Sequence, residues 1–201
     1  VKPNIQAGYN QNIRSYPLYK ESPKKLYIPR AYGIKKFGLP NEVKIPNGIN
    51  ININFNGDLR PQQEFIVNKF YNFLKENFGG LLDIYCGMGK TVMTLKLISM
   101  LKLKTLVIVH KGFLADQWIE RCNEFLPDAK IGRIQGQIID IEDKDIVIGM
   151  LQTLSMHKFP EDQFSEFGTV AVCPLTGQDR APAEYQLGYL AKRQSHQTGQ
   201  P

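Results

Sequence analysis

The residues with the plainest chemical purpose are Leu81–Thr91, LLDIYCGMGKT. An apolar run leads into a Gly-x-Gly turn, and Lys-Thr follows where a helix begins. Gly87 and Gly89 let the backbone take positive φ and approach a phosphate closely. Successive N–H groups of such a turn, with Cys86 and Met88 between and before the glycines, form an anion nest. The helix behind it offers the positive end of its dipole to the same anion. Lys90 is suited to neutralising the β- and γ-phosphates of ATP, and the Thr91 hydroxyl to ligating Mg²⁺. The strict phosphate-loop pattern asks for Gly or Ala at position 84, and this chain has Ile84. The strand-before, helix-after context is what supports the assignment despite that departure. The alternative is a chance Gly-Lys-Thr at a turn of a Rossmann-like domain. Cys86 reads as a small packing residue, since no His is near it in sequence.

The elements that must hold this loop follow from periodicity. Pro61 opens a helix in which Phe65, Ile66, Phe70, Phe73 and Leu74 recur at helical spacing, with Asp58 upstream as a cap and Gly79-Gly80 as a stop. Leu81–Tyr85 is a short strand and Lys90–Leu101 a helix. Thr105–Val109 is an unbroken TLVIV run, as expected of a strand buried on both faces. Leu114–Phe125 is amphipathic, and Trp118, with Leu114 and Cys122 on its i±4 face, reads as core. Strands are expected near Lys130–Ile134, Asp145–Ile148 and Gly168–Val172, with a short helix at Leu151–Met156. Strands alternating with helices of this length predict an α/β fold, a parallel sheet with helices on both faces.

Composition frames that domain. The chain has 201 residues, 42% hydrophobic and 22% charged, the balance of a globular protein. Its three cysteines, Cys86, Cys122 and Cys173, lack metal-ligand spacing and read as free thiols. No apolar run reaches the ~18 residues a membrane span needs, and no charged-then-apolar leader opens the chain. The net charge of +6 is concentrated: residues 1–58 hold nine Lys/Arg against three Asp/Glu, while the rest is near neutral. A basic arm beside a neutral body is a nucleic-acid footprint or a solvated basic face. In that arm Pro and Gly come too often for a long helix, Leu26–Ile28 suits one strand, and Ile49–Phe55 (INININF) alternates as a strand with one apolar face does. The expected organisation is a basic extension over 1–58, a nucleotide-binding domain over 59–173 and a polar, disordered tail over 174–201, with at most one weak helix around Ala183–Arg193.

Several stretches occur together in one order: SPKKLYIPRAYGIKKFG, LRPQQ, GGLLDIYCGMGKTVMTLKLI, TLVIVHKGFLADQWIERCNEFLP, IGRIQG and DIVIGMLQTLSM. In this the chain resembles the first motor domain of superfamily 2 helicases, in the XPB-like branch, and above all the DEAD/H-box-like helicases of large DNA viruses. The resemblance covers roughly residues 20–170 and implies a phosphate-loop, RecA-like parallel sheet with helices on both faces. It implies an ATP-dependent helicase or translocase on DNA, or on RNA or an RNA–DNA hybrid, serving viral transcription or replication in the host cytoplasm, viral factory or virion. It implies that Gln63 of LRPQQ reads the adenine edge and that Arg60 supports the phosphates or the loop. It implies that Lys111 and Gly112, after the TLVIV strand, contact nucleic-acid phosphates, and that Gly136, Gln152 and Thr153 do the same from two further loops. His110 reads as a loop residue. After the strand near Thr169 the family continues to Asp-Glu-x-His, whereas this chain reads GTVAVCPLTGQDRAPAEY. The expectation is therefore a break in the reading frame or in the gene, and a chain that binds nucleotide and nucleic acid but turns over little ATP without those acids and a second motor domain. A small nucleotide kinase is the least favoured reading, because Arg133 alone would supply its lid.

Overall fold

The computed structural model describes residues 19–43, 46–77, 79–85, 87–160, 162–173 and 185–192, the last of these and Ala31 by backbone alone. Two compact units make up the chain, Val1–Lys44 and Ile45–Pro201.

The first unit contains an antiparallel hairpin, β1 (Lys20–Ser22) and β2 (Lys25–Tyr27), and helix α1 (Arg30–Phe37). Ser22 Oγ accepts from Lys25 N–H at 3.1 Å and donates to Lys25 O at 3.2 Å, closing the turn. The helix has no counterpart in the sequence expectation. It occupies the interval between Pro29 and Gly38, where Gly38 at φ +84° ends it by donating to Ile34 O at 2.9 Å.

The second unit is a mixed sheet with helices. In chain order it contains α2 (Pro61–Glu76), β3 (Gly79–Tyr85), α3 (Lys90–Leu101), β4 (Thr105–Val109), α4 (Gly112–Phe125), β5 (Ile131–Gln135), β6 (Ile138–Ile139), β7 (Ile146–Met150), α5 (Leu151–Met156), β8 (Thr169–Val172) and β9 (Tyr185–Lys192). The strand order is β3-β9-β8-β4-β7-β5-β6. β8, β4, β7 and β5 run parallel, while β9 is antiparallel to both its neighbours. Two reversals restore direction, so β3 runs the same way as the parallel strands. The carboxyl ends of β3, β8, β4, β7 and β5 therefore share one edge of the sheet.

Alternation along the strands separates two cores. Val107, Val109, Ile146, Ile148 and Ala171 face α2, α3 and α4 and join Leu74, Met93, Leu97 and Trp118. Leu106, Ile134 and Val147 face the other way, against α5 and the aromatic segment Phe159, Phe164 and Phe167. Both faces are covered as expected, but the long helices lie on one face and a six-residue helix plus a loop cover the other. Lys104 fastens that loop. Its ammonium, 1% exposed, meets Glu166 Oε2 at 2.6 Å and Ile141 O at 3.2 Å, and lies over the Phe167 ring. A buried charge needs partners of this kind.

Three expectations change. Ile49–Phe55 is extended and alternates in burial, with Ile51 and Ile53 buried, but it forms no ladder: Asn50 makes one isolated bridge to Leu103. Single bonds replace the ladder, from Ile49 N–H to Glu166 O, Ile51 N–H to Lys102 O and Asn56 N–H to Phe125 O. These residues thus belong to the second unit, and the boundary falls at 44/45 where the sequence reading placed it at 58. Finally, residues 185–192 of the tail form strand β9, neither disordered nor helical. Its alternating YQLGYL suits a strand, and the slot between β3 and β8 supplies hydrogen bonds on both sides.

Candidate nucleotide and nucleic-acid site

At the end of β3 the chain turns sharply into α3. Gly87 and Gly89 both stand at φ +81°, the left-handed conformation in which a side chain costs about 1–2 kcal/mol. A Cβ at Gly87 would meet open space, so this glycine leaves the mouth of the loop clear. Gly89 caps α3, and Met93 N–H donates to its carbonyl at 3.0 Å. The first-turn N–H groups of α3 have no intrahelical acceptor and lie behind the turn. Lys90, the first helical residue, reaches back to the carbonyls of Ile84 and Tyr85 at 2.9 and 3.0 Å. Its ammonium is thereby held at the loop by weak acceptors that a phosphate can replace. Thr91 follows, half-buried. Cys86 lies outside the described residues.

Gln63 is tied to the same loop across 25 residues of sequence. It is 7% exposed on the first turn of α2. Its Nε2 donates to Met88 O at 2.9 Å, and its Oε1 accepts from Arg60 N–H at 3.0 Å. A Cβ at Gly89 would lie 2.5 Å from that Nε2. The amide thus spends one donor and one acceptor position on the loop and on its own helix start, keeping one of each. Arg60 contributes its backbone here, and its side chain is exposed.

The residues expected to touch nucleic acid gather along the carboxyl edge of β4, β7 and β5. Gly136, at φ +58° in the β5–β6 turn, donates its N–H to Thr153 Oγ1 at 2.9 Å. Gln152 Nε2 donates to His110 O at 2.8 Å. Lys111 precedes Gly112, the first residue of α4, and a Cβ at Gly112 would touch Gln135 at 3.5 Å. Three loops distant in sequence are therefore stitched together. His110 is a loop residue as expected, in the bend after β4, but a buried one: it is 7% exposed, and neither ring nitrogen has a hydrogen-bond partner among the described residues. Burial, with the Lys111 charge second, holds its pKa below the ordinary imidazole value. Trp118 is buried as core.

Between the two clusters lies the end of β8. Cys173 N–H donates to Ile108 O at 2.9 Å. Burial raises its thiol pKa, against the opposing pull of a Trp118 contact and the Lys90 ammonium. The end of β8 shares the carboxyl edge of the sheet with the end of β3, with β9 between the two strands. The described end of β8 carries Val172 and Cys173 rather than carboxylates. Among the described residues no group of three or more His, Cys, Asp or Glu gathers as a metal site. Phe113 is exposed at the start of α4, off the face formed by Ala115, Trp118 and Cys122, so helical spacing does not single it out.

Comparison with known proteins assigns the chain to a family. The family described as ResIII, type III restriction enzyme, res subunit, matches residues 56–180. The chain belongs to that family. It is 33% identical over 200 residues to the Acanthamoeba polyphaga mimivirus protein described as "Putative ATP-dependent RNA helicase L396", an alignment covering 94% of this chain and 38% of that protein. It is 29% identical over 152 residues to "Putative helicase 161L" of Invertebrate iridescent virus 6, covering 73% of this chain and 34% of that one. The Sulfolobus solfataricus SWI2/SNF2 ATPase core, solved in complex with dsDNA, aligns with 55% of this chain and 25% of its own, at TM-score 0.47 and 27% identity. The ResIII-family chain thus resembles helicases of large DNA viruses while spanning well under half of their length. No helix among the described residues is long and apolar enough to cross a membrane.

Proposed function

We propose that this chain is the nucleotide-binding and nucleic-acid-gripping part of an ATP-dependent helicase or translocase used in transcription or replication by a large DNA virus. The observation that carries the reading is the turn from β3 into α3, with two left-handed glycines, Lys90 at the helix start and Gln63 tied to Met88. ATP is the nucleotide: the turn and α3 take the phosphates, Lys90 exchanges its carbonyl partners for them, and the free donor and acceptor of Gln63 suit the adenine edge. Bound Mg²⁺ would screen charge between the β- and γ-phosphates. For that ion the described residues of the turn and of the end of β8 offer the Thr91 hydroxyl and no carboxylate. Lys111, Gly112, Gly136, Gln152 and Thr153 grip the backbone of DNA, or of RNA or a hybrid, without reading sequence. The basic residues of 1–58 add a salt-sensitive attraction. The site of action is the host cytoplasm or a viral factory, with the viral transcription machinery as partner.

A second reading is favoured by the end of β8. With Cys173 where an acidic residue would orient water or hold the metal, this chain by itself is a binding module with little turnover. A thiol is a poor partner for Mg²⁺, which prefers hard oxygen donors.

The nucleotide half is tested by Lys90→Ala. Each charge-assisted hydrogen bond contributes about 1.5–3 kcal/mol, so affinity for a fluorescent ATP analogue should fall roughly tenfold to a hundredfold. Equal affinity in mutant and parent removes the phosphate loop from the reading.

A further inference from the structure

We infer that Phe113 is a stacking platform for an unstacked nucleobase, beside a phosphate contact at Lys111. This rests on the sheet edge being the nucleic-acid side of the protein.

Four observations meet at the start of α4. Phe113 is 62% exposed, whereas its helix buries Ala115, Trp118 and Cys122. Its side chain therefore contributes little to the core and is largely exposed. The Lys111 ammonium lies 5.9 Å from the ring centroid. Lys111 makes no ion pair among the described residues, while the nearby Asp116 is neutralised by Arg133 at 2.8 Å. A cation without a carboxylate partner among the described residues thus stands beside an exposed aromatic ring. The edge is also rigid, because Gly136 is bonded to Thr153 and Gln152 to the His110 carbonyl. Lastly, His110, adjoining Lys111, is buried with both ring nitrogens unpartnered among the described residues. Buried polar atoms without protein partners mark places where water or a ligand completes the bonding.

An exposed aromatic ring and a cation within one nucleotide's reach suit a single strand. A duplex keeps its base faces stacked, so only an unpaired or splayed base can lie on Phe113. Every base has a π-face, so the contact tolerates sequence and does not itself distinguish DNA from RNA.

The experiment uses the whole 201-residue chain and end-labelled strands read by fluorescence anisotropy: oligothymidylate, oligouridylate and an abasic strand of equal length. The parent should bind the base-bearing strands about fivefold to a hundredfold more tightly than the abasic strand, the range of one stacked base. Phe113→Leu, which keeps an apolar side chain, should abolish that preference and leave abasic affinity unchanged. Phe113→Tyr should retain it. Lys111→Gln should weaken all strands alike. A parent that binds abasic and base-bearing strands equally, or a Phe113→Leu protein that keeps the preference, overturns the platform but leaves the backbone grip standing. A parent that binds no strand overturns both, while the nucleotide titration still reports on the phosphate loop.

Discussion

Replacing Gly89 by Ala probes the link between the start of α2 and the phosphate loop. Two costs are separable, because Gly87 has the same φ of +81° but open space around it. Gly87→Ala carries only the left-handed penalty, about 1–2 kcal/mol. Gly89→Ala carries that penalty and also sets a methyl 2.5 Å from Gln63 Nε2. The amide end can swing aside, so overlap itself adds little. What it leaves is the bond to Met88 O and, if the whole amide turns, the bond from Arg60 N–H. At about 0.5–1.5 kcal/mol per bond, Gly89→Ala should cost about 2–4 kcal/mol. In a domain of this size that lowers Tm by roughly 5–15 °C. In a Gln63→Ala background the methyl meets no amide, so Gly89→Ala should there cost only what Gly87→Ala costs. Urea unfolding of the four single and double variants closes the cycle. Equal costs for Gly87→Ala and Gly89→Ala in the parent would refute the clamp, as would a Gly89→Ala cost unchanged by removing Gln63.

Burial, and then the Lys111 charge, lowers the His110 pKa, so the folded state resists a proton that the unfolded chain accepts near 6.5. Stability should therefore fall as pH drops below about 6.5, and His110→Gln should flatten that part of the profile; identical profiles would count against a buried neutral imidazole. With Cys173 at the end of β8, phosphate release from ATP should stay below the ~1–10³ s⁻¹ typical of enzymes, with or without DNA. DNA-stimulated turnover in that range would mean that acidic residues elsewhere, such as Asp179 or Glu184, supply the chemistry.

Much of the second unit was legible because its signals are local. The spacing of Phe70 and Leu74, the TLVIV run and the Gly-x-Gly-Lys-Thr turn each declare their conformation within a few residues, and α2, β4 and α3 follow them. Helix α1 was hidden because Pro29 and Gly38, read as breakers, are its boundary residues. The INININF stretch kept its period of two, since Ile51 and Ile53 do face the core. Whether its backbone would pair in a ladder depended on a neighbour that the sequence does not name. Strand β9 was missed for a similar reason: a short polar stretch becomes a strand when an open slot offers bonds on both sides.

The sequence by itself determined the chemical character of the Gly-x-Gly-Lys-Thr turn, since positive φ, an ammonium and a hydroxyl at a helix start are properties of the residue types and their order. It also determined which strands have two apolar faces. Tertiary structure alone decided which distant residues meet. Parallel strands carry their following loops to one edge, so Lys111, Gly136 and Gln152 converge there although separated by up to 41 positions in the chain. It also decided that Gln63 ties to Met88 and that Phe113 stays open. Those outcomes depend on how α2 and α4 are rotated against the sheet, and that rotation is set by the packing of the whole core.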